Sequence, residues 1–274
     1  MNKGTLHICA TPIGNLEDIT LRVLRVLKEV DLIAAEDTRH TAKLLSHYEI
    51  RTPTTSYHEN NRDAKGAYLI EQLRAGKNIA LVSDSGMPCI SDPGRELVLA
   101  AYAADIPVTV CPGASAGLSA LVLSGFQTRP HVFEGFLPRD KSARRKLLRD
   151  VSVETRTMIF YEAPHRLEAT LKEMLEAWGD REVALVRELT KKFEEVSQGL
   201  ISEHLQGFES KLPRGEYVIV VKGAHCAPLQ YPDDIAEHVA QHIAGGHDEK
   251  AAMKLAAKDR GVAKSDIYNA LKRK

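Results

Sequence analysis

The chain has 274 residues, 43 % of them hydrophobic and 27 % charged, with a formal net charge of zero. This length accommodates two α/β domains, and the composition excludes a disordered or fibrous chain. No overall basic field is present, so a nucleic-acid partner has to be met by local basic patches.

Short apolar runs alternate with amphipathic segments, the pattern of α/β construction. Leu6–Ala10 predicts a buried strand, followed by a polar loop, residues 11–19. Leu21, Val23, Leu24, Val26 and Leu27 supply one helical face, with Asp18 or Thr20 as N-cap. Leu32–Ala35 and Ile79–Val82 predict further strands, the first ending in Glu36-Asp37-Thr38-Arg39 and the second in Ser83-Asp84-Ser85-Gly86. A helix over 93–104 and a strand over 108–111 complete a first domain, 1–125. Strands over 132–136, 157–161, 183–187 and 217–221, with helices near 142–150, 165–178 and 200–208, form a second, 126–223. The remainder, 224–274, is a linker with two prolines and a helical tail near 234–244, 249–259 and 264–272.

The four cysteines, at 9, 89, 111 and 226, form no CxxC pair, so neither a zinc ribbon nor a dithiol redox motif is indicated. The N-terminal segment lacks the apolar core of a signal peptide. Residues 106–128 carry no charge and could cross a bilayer, but Pro107, Pro112, Gly113 and Gly117 make strand, turn and buried helix the better description. A cytoplasmic location without membrane attachment is expected.

In open α/β sheets, ligands collect at the carboxyl ends of strands. Polar, Gly- and Pro-rich residues concentrate there, at 11–15, 35–39, 83–88, 112–116, 160–162 and 187–191, which predicts a ligand cleft. Neither GxGxxG nor GxxxxGK[ST] occurs, which argues against a dinucleotide Rossmann site and a P-loop NTPase. Gly113-Ala114-Ser115-Ala116-Gly117 matches GxSxG between a strand and a helix, with Asp150 and His165 in the order a serine hydrolase needs. The competing reading is a small-residue helix start packed on the sheet. His238, His242 and His247, with Cys226, have a metal-like spacing but lack a second cysteine, so a solvated His-rich helix is expected and no metal.

Two basic clusters stand out. One runs Arg139, Lys141, Arg144, Arg145, Lys146 and Arg149; the other holds Lys250, Lys254, Lys258 and Arg260, joined by Lys264, Lys272, Arg273 and Lys274. Neither is interleaved with aromatics, which favours phosphate contacts over base stacking.

The loop segments also carry a resemblance. ATPIGNLEDIT, DLIAAEDTRHT, LVSDSGMPCISDPG, CPGASA, FEGFLPR, IFYEAPHRL and VRELTKKFEE resemble, in order, the motif series of the ribosomal RNA small subunit methyltransferase I family, within the tetrapyrrole methylase superfamily. The resemblance implies two α/β domains with S-adenosylmethionine in the cleft between them and a homodimer. It also implies 2′-O-methylation of a decoding-centre cytidine in the 16S ribosomal RNA of the small subunit. Carried over by motif, Thr11, Pro12, Asp84, Ser85, Gly86, Met87, Ser115, Ala116, Tyr161, Leu189, Gly215 and Glu216 would hold the cofactor. Asp84 would meet its ammonium, and Ser115 needs no nucleophilic role. Met87 and Cys89 depart from the small residues expected in Asp-x-Gly-x-Pro-x-Ile.

A ribose hydroxyl is a poor nucleophile until its proton is drawn away, so a carboxylate is expected beside the acceptor. Asp37 and Glu188, each at a strand end, are the candidates. Arg39, Arg187 and Lys191 would hold neighbouring phosphates, with Arg144, Arg145, Lys254, Lys258 and Lys264 as further RNA contacts. An interdomain salt-bridge network is the alternative for the strand-end charges. Three other functions stay open: a tetrapyrrole or diphthine methyltransferase, a GxSxG hydrolase, and a non-catalytic RNA-binding module.

Overall fold

The runs LIAA and IALV are too short and too uniformly apolar for helices or half-buried strands, and they suit central strands of a parallel sheet covered on both faces. The computed structural model describes residues 3–210, 212–224, 232–260 and 262–272. In it, β1 (Leu6–Cys9), β2 (Leu32–Ala35), β3 (Thr54–Ser56), β4 (Ile79–Val82) and β5 (Val108–Cys111) form an all-parallel sheet of order β3-β2-β4-β1-β5. Its crossovers are α1 (Leu21–Glu29), α2 (Thr38–His47), α3 (Arg62–Arg74) and α4 (Arg95–Ala103), and α5 (Ala116–Leu123) follows β5. Thr20, not Asp18, caps α1, its hydroxyl accepting from Val23 N at 3.2 Å. One core on each face of the sheet, around Leu69 and Leu97 on one side and Val23 and Leu27 on the other, fixes the loops after β1, β4 and β5 side by side.

A second sheet contains β6 (His131–Phe136), β7 (Thr157–Glu162), β8 (Glu182–Arg187), β9 (Glu195–Leu200) and β10 (Tyr217–Val221), in the order β6-β7-β10-β8-β9. Only β6 and β7 run parallel; the other pairs are antiparallel. Its Phe160, Leu185 and Ile219 side packs under α6 (Lys141–Asp150), α7 (Pro164–Trp178) and α8 (Ile201–Ser210). Its Ile159, Val186 and Val218 side packs against α5, Ile13 and Leu189. The two sheets therefore share a wall, and both belong to one compact unit, Met1–Ala224.

A second unit, His225–Lys274, holds α9 (Ile235–Ala244), α10 (Glu249–Arg260) and α11 (Lys264–Lys272) around Val239, Ala252, Ala256 and Ile267. Here the expectation of a solvated His-rich face is corrected. His238 is buried, its Nδ1 accepting from Arg260 Nε at 3.1 Å, and His242 Nε2 lies 2.9 Å from Asp259 Oδ2. The helix packs this edge inward because α10 presents Asp259 and Arg260 to it. Cys226 lies outside the described residues. Among the described residues no helix is long and apolar enough to cross a membrane.

Candidate functional site

The polypeptide after β1 turns back on the loop after β4. Thr11 and Gly86 exchange both backbone hydrogen bonds, at 2.9 and 3.1 Å, and the buried Thr11 hydroxyl donates to Ser83 O at 3.1 Å. This double tie presents Ile13 and the Ser85–Met87 turn to one side. From the second sheet, Tyr161 completes the frame: its hydroxyl accepts from Gly117 N, in the first turn of α5, at 3.0 Å. The result is a cavity of about 380 Å³ walled by both sheets' loops, within the range of small-molecule sites.

Eight of the expected cofactor residues line it: Ser85, Gly86, Met87, Ser115, Ala116, Tyr161, Leu189 and Glu216. Ser115 begins α5 without using its hydroxyl as a cap, leaving that group to the cavity. Its backbone is extended (φ −142°), unlike a strained nucleophile elbow. His165 and Asp150 are exposed and make no hydrogen bond to it among the described residues, so the triad is not assembled.

The other four expected residues stand behind the lining. Thr11 and Pro12 shape the turn that carries Ile13. Gly215 lies against the Glu188 carboxylate; a Cβ there would come within 2.5 Å of Oε1. Asp84 is the correction: its Oδ1 accepts from Asp37 N at 3.1 Å, and it does not line the cavity. Asp92, eight residues on in the same loop, does. Burial pushes the Asp92 carboxyl above its ordinary range, the Ser83 hydroxyl draws it partly back, and the nearby Asp84 charge pushes it up again. Glu36, behind it, is raised by burial and by the charge of Asp92. The side of the cavity nearest these acids is thus short of positive charge.

Sequence reasoning also passed over Ile90, Phe136, Glu162 and Pro164, which line the same cavity. All four sit inside the recognised loop segments, so a signal existed at motif level without singling them out. Glu162 is a framework carboxylate: its side chain is fully buried, accepts from Thr170 Oγ1 at 2.6 Å and from Ala163 N at 2.9 Å, and lies 3.4 Å from Arg166 Nε.

The two carboxylates expected to take the acceptor's proton are committed elsewhere. Asp37 caps α2 through Arg39 N at 2.8 Å and grips the Arg39 guanidinium at 2.7 and 3.1 Å, which holds its carboxyl far below the usual range. Glu188 is partly desolvated, which raises its carboxyl. The Glu216 N–H at 2.9 Å and the Lys191 ammonium at 3.0 Å outweigh this and leave it lowered. A carboxylate so stabilised is a weak base.

Several expected RNA contacts prove to be framework cations. Arg144 forks onto Glu173 at 2.6 and 2.9 Å, both side chains about 15 % exposed, and donates to Pro138 O and Arg139 O. Arg187 donates to Arg214 O and pairs with Glu195; Lys191 bridges Glu188 and Glu216. These strand-end charges are paired, but each pair stays within its own domain, Asp37 with Arg39 in the first and Arg187–Glu195 and Glu188–Lys191–Glu216 in the second, so the expected interdomain network is corrected to local ones. Arg145, Lys254 and Lys258 remain exposed, while Lys264 is half-buried.

Residues 5–204 match the sequence family of tetrapyrrole (corrin/porphyrin) methylases. The chain belongs to the tetrapyrrole methylase family. Within that family, it is 48 % identical to a "Ribosomal RNA small subunit methyltransferase I" of Halalkalibacterium halodurans, across 98 % of this chain and 94 % of the relative. A protein of the same name from Bacillus subtilis is also 48 % identical over the same shares, and one from Synechocystis is 43 % identical across 97 % and 96 %. The family fold is evident too. A crystal structure of uroporphyrin-III-C-methyltransferase from Thermus thermophilus superposes with a TM-score of 0.56 at 23 % identity, covering 80 % of this chain and 94 % of that one.

Proposed function

We propose that this protein transfers a methyl group from S-adenosylmethionine to the 2′-hydroxyl of a decoding-centre cytidine in small-subunit ribosomal RNA, in the cytoplasm and as a homodimer. The observation that carries the reading is the cavity itself, with apolar walls for a flat aromatic ring and a carboxylate positioned for a cation. Ile13, Met87, Leu189 and Val218 offer the apolar walls, Asp92 the negative charge, and Ser115 an uncommitted hydroxyl. The fit is close at Gly86, where a Cβ would stand 3.2 Å from Ile13 Cγ2 and narrow the chamber. The names of the relatives support ribosomal RNA as the acceptor.

S-adenosylmethionine supplies an electrophilic methyl whose leaving group needs no acid. The protein's own contribution is positioning, which can supply a large part of the barrier reduction in an in-line transfer. The Thr11–Gly86 tie and the Tyr161–Gly117 hydrogen bond fix the two walls of the cavity. Glu188 and Lys191 tie the loop after β8 to the turn at Glu216, while Asp37 and Arg39 close the start of α2. The tail lysines Lys254 and Lys258, four residues apart on α10, are suited to phosphates. For self-association, α4 exposes Leu99 and Tyr102, and α5 exposes Leu118 and Val122, each by half or more, apolar side chains of the kind an interface covers.

A calorimetric titration with S-adenosylmethionine, followed by mapping of the methyl in treated small ribosomal subunits, tests the proposal. One-to-one binding and a single 2′-O-methylated cytidine are expected. Absence of binding would remove the whole reading, and a methyl on a base would correct its chemistry.

A further inference from the structure

Strand β6 makes a detour that its hydrophobic pattern does not require. Against β7, Phe133 pairs with Ile159, but Gly135 pairs with Phe160 and Phe136 with Tyr161, so the register slips by one between Phe133 and Gly135. A one-residue slip carries every later side chain to the opposite face of the sheet. Unslipped, Phe136 would fall on the side of Phe160, in the core beneath α6 and α7. With the slip it joins Ile159 and Tyr161 on the cavity side. The bulge is completed by the buried Gly135 at φ +67°, a left-handed conformation, and a Cβ there would stand 3.4 Å from Ser91 Oγ.

The outcome is a phenyl ring on the cavity rim that is 56 % exposed, set edge-on to Tyr161 at 5.4 Å between ring centres. Its mounting is rigid. Leu137 is buried, Arg166 Nη2 donates to Leu137 O at 3.1 Å, and Arg144 Nη1 donates to Pro138 O at 3.1 Å and Arg139 O at 3.0 Å. Directly after this mounting come Arg139 and Lys141, both exposed and, among the described residues, in no ion pair. The exposed Arg145, Lys146 and Arg149 of α6 follow. A pre-set aromatic face beside a run of cations is how single-stranded nucleic acid is held, with bases stacked on rings and phosphates met by Arg and Lys. A protein interface core is instead depleted in charge. The sequence shows no aromatic interleaved with these cations; the bulge brings one in from the preceding strand.

We propose that Phe136 is the stacking platform for the nucleobase of the acceptor nucleotide, with Arg139 and Lys141 on the adjoining phosphates. This rests on the methyltransferase reading above and adds how the acceptor is seated. In the full-length protein, wild type, Phe136→Ala and Phe136→Tyr would be compared for methylation of small ribosomal subunits, and for S-adenosylmethionine affinity by calorimetry. Phe136→Ala is expected to lower kcat/KM for subunits about ten- to hundredfold, through KM. Its cofactor Kd should stay within about twofold of wild type, and Phe136→Tyr, which keeps the ring, should retain wild-type rates. A wild-type KM in Phe136→Ala overturns the inference. So does a loss confined to cofactor Kd, which would put the ring on the cofactor instead; both outcomes leave the methyltransferase reading intact. A wild-type protein that methylates nothing overturns that reading and this inference together.

Discussion

Replacing Asp92 by Asn removes one half-buried negative charge without changing shape, and two measurements should move in opposite directions. In the free protein Asp92 is raised by burial and by Asp84, and it helps raise Glu36. An acid whose folded pKa is raised contributes stability below its unfolded value and loses it as pH climbs through the folded one. At pH 7.5 the charge is therefore a burden on the fold, and Asp92→Asn should melt higher than wild type. The difference should shrink as pH falls toward the ordinary value of 3.8. The same charge is the cavity's attraction for a cationic ligand. A charge-assisted hydrogen bond is worth about 1.5–3 kcal/mol, so S-adenosylmethionine affinity should fall about ten- to 150-fold. In the wild type, affinity should also weaken as pH drops through the raised pKa, and in Asp92→Asn it should not. Thermal melts across pH and calorimetric titration read both quantities. A variant that melts lower and binds the cofactor unchanged would refute the reasoning. Loss of kcat alone would make Asp92 the proton acceptor.

Breaking the Arg144–Glu173 fork by Arg144→Ala should reduce stability by about 3 kcal/mol, seen as a lower urea midpoint, while Arg145→Ala changes it by less than about 0.5 kcal/mol. Glu188 carries a lowered folded pKa, so its stabilisation is present above the ordinary 4.5 and is lost as pH falls below it. Glu188→Gln should accordingly flatten the acid side of the stability curve between pH 5 and the lowered value, a change that pH-jump unfolding would detect. Neutralising Lys254 and Lys258 to Gln should leave cofactor affinity alone and make the salt dependence of RNA binding shallower by about 0.7–0.9 in log–log slope per lost contact. An unaltered slope assigns both lysines to solubility.

The parallel core strands were legible because their signal is local. Leu32–Ala35 and Ile79–Val82 are bounded by polar turns and buried on both faces, so apolar content alone locates them. Thr54–Ser56 and Glu195–Leu200 were not, because edge strands form by pairing with a neighbour and need no apolar run. Helix α3 escaped for a related reason: its buried Leu69, Ile70 and Leu73 are diluted by Gly66 and charged residues, with no clean stripe. The motif loops located the cavity, yet which acid of Asp84 and Asp92 faces it depended on a turn tied to Thr11.

What the chain's own order of residues settled is where the apolar core strands, the capped amphipathic helices and the ligand loops occur, since these follow from short-range periodicity and capping. Tertiary structure decided which charges are free. Glu188, Arg144, Arg187 and Lys191 read as reactive or RNA-facing in isolation, and each is spent on a partner that folding brings alongside, whereas Asp37 is taken up locally by Arg39 in its own helix cap. The bulge that turns Phe136 outward is likewise invisible to a period-two pattern, because register belongs to the pair of strands and not to either one.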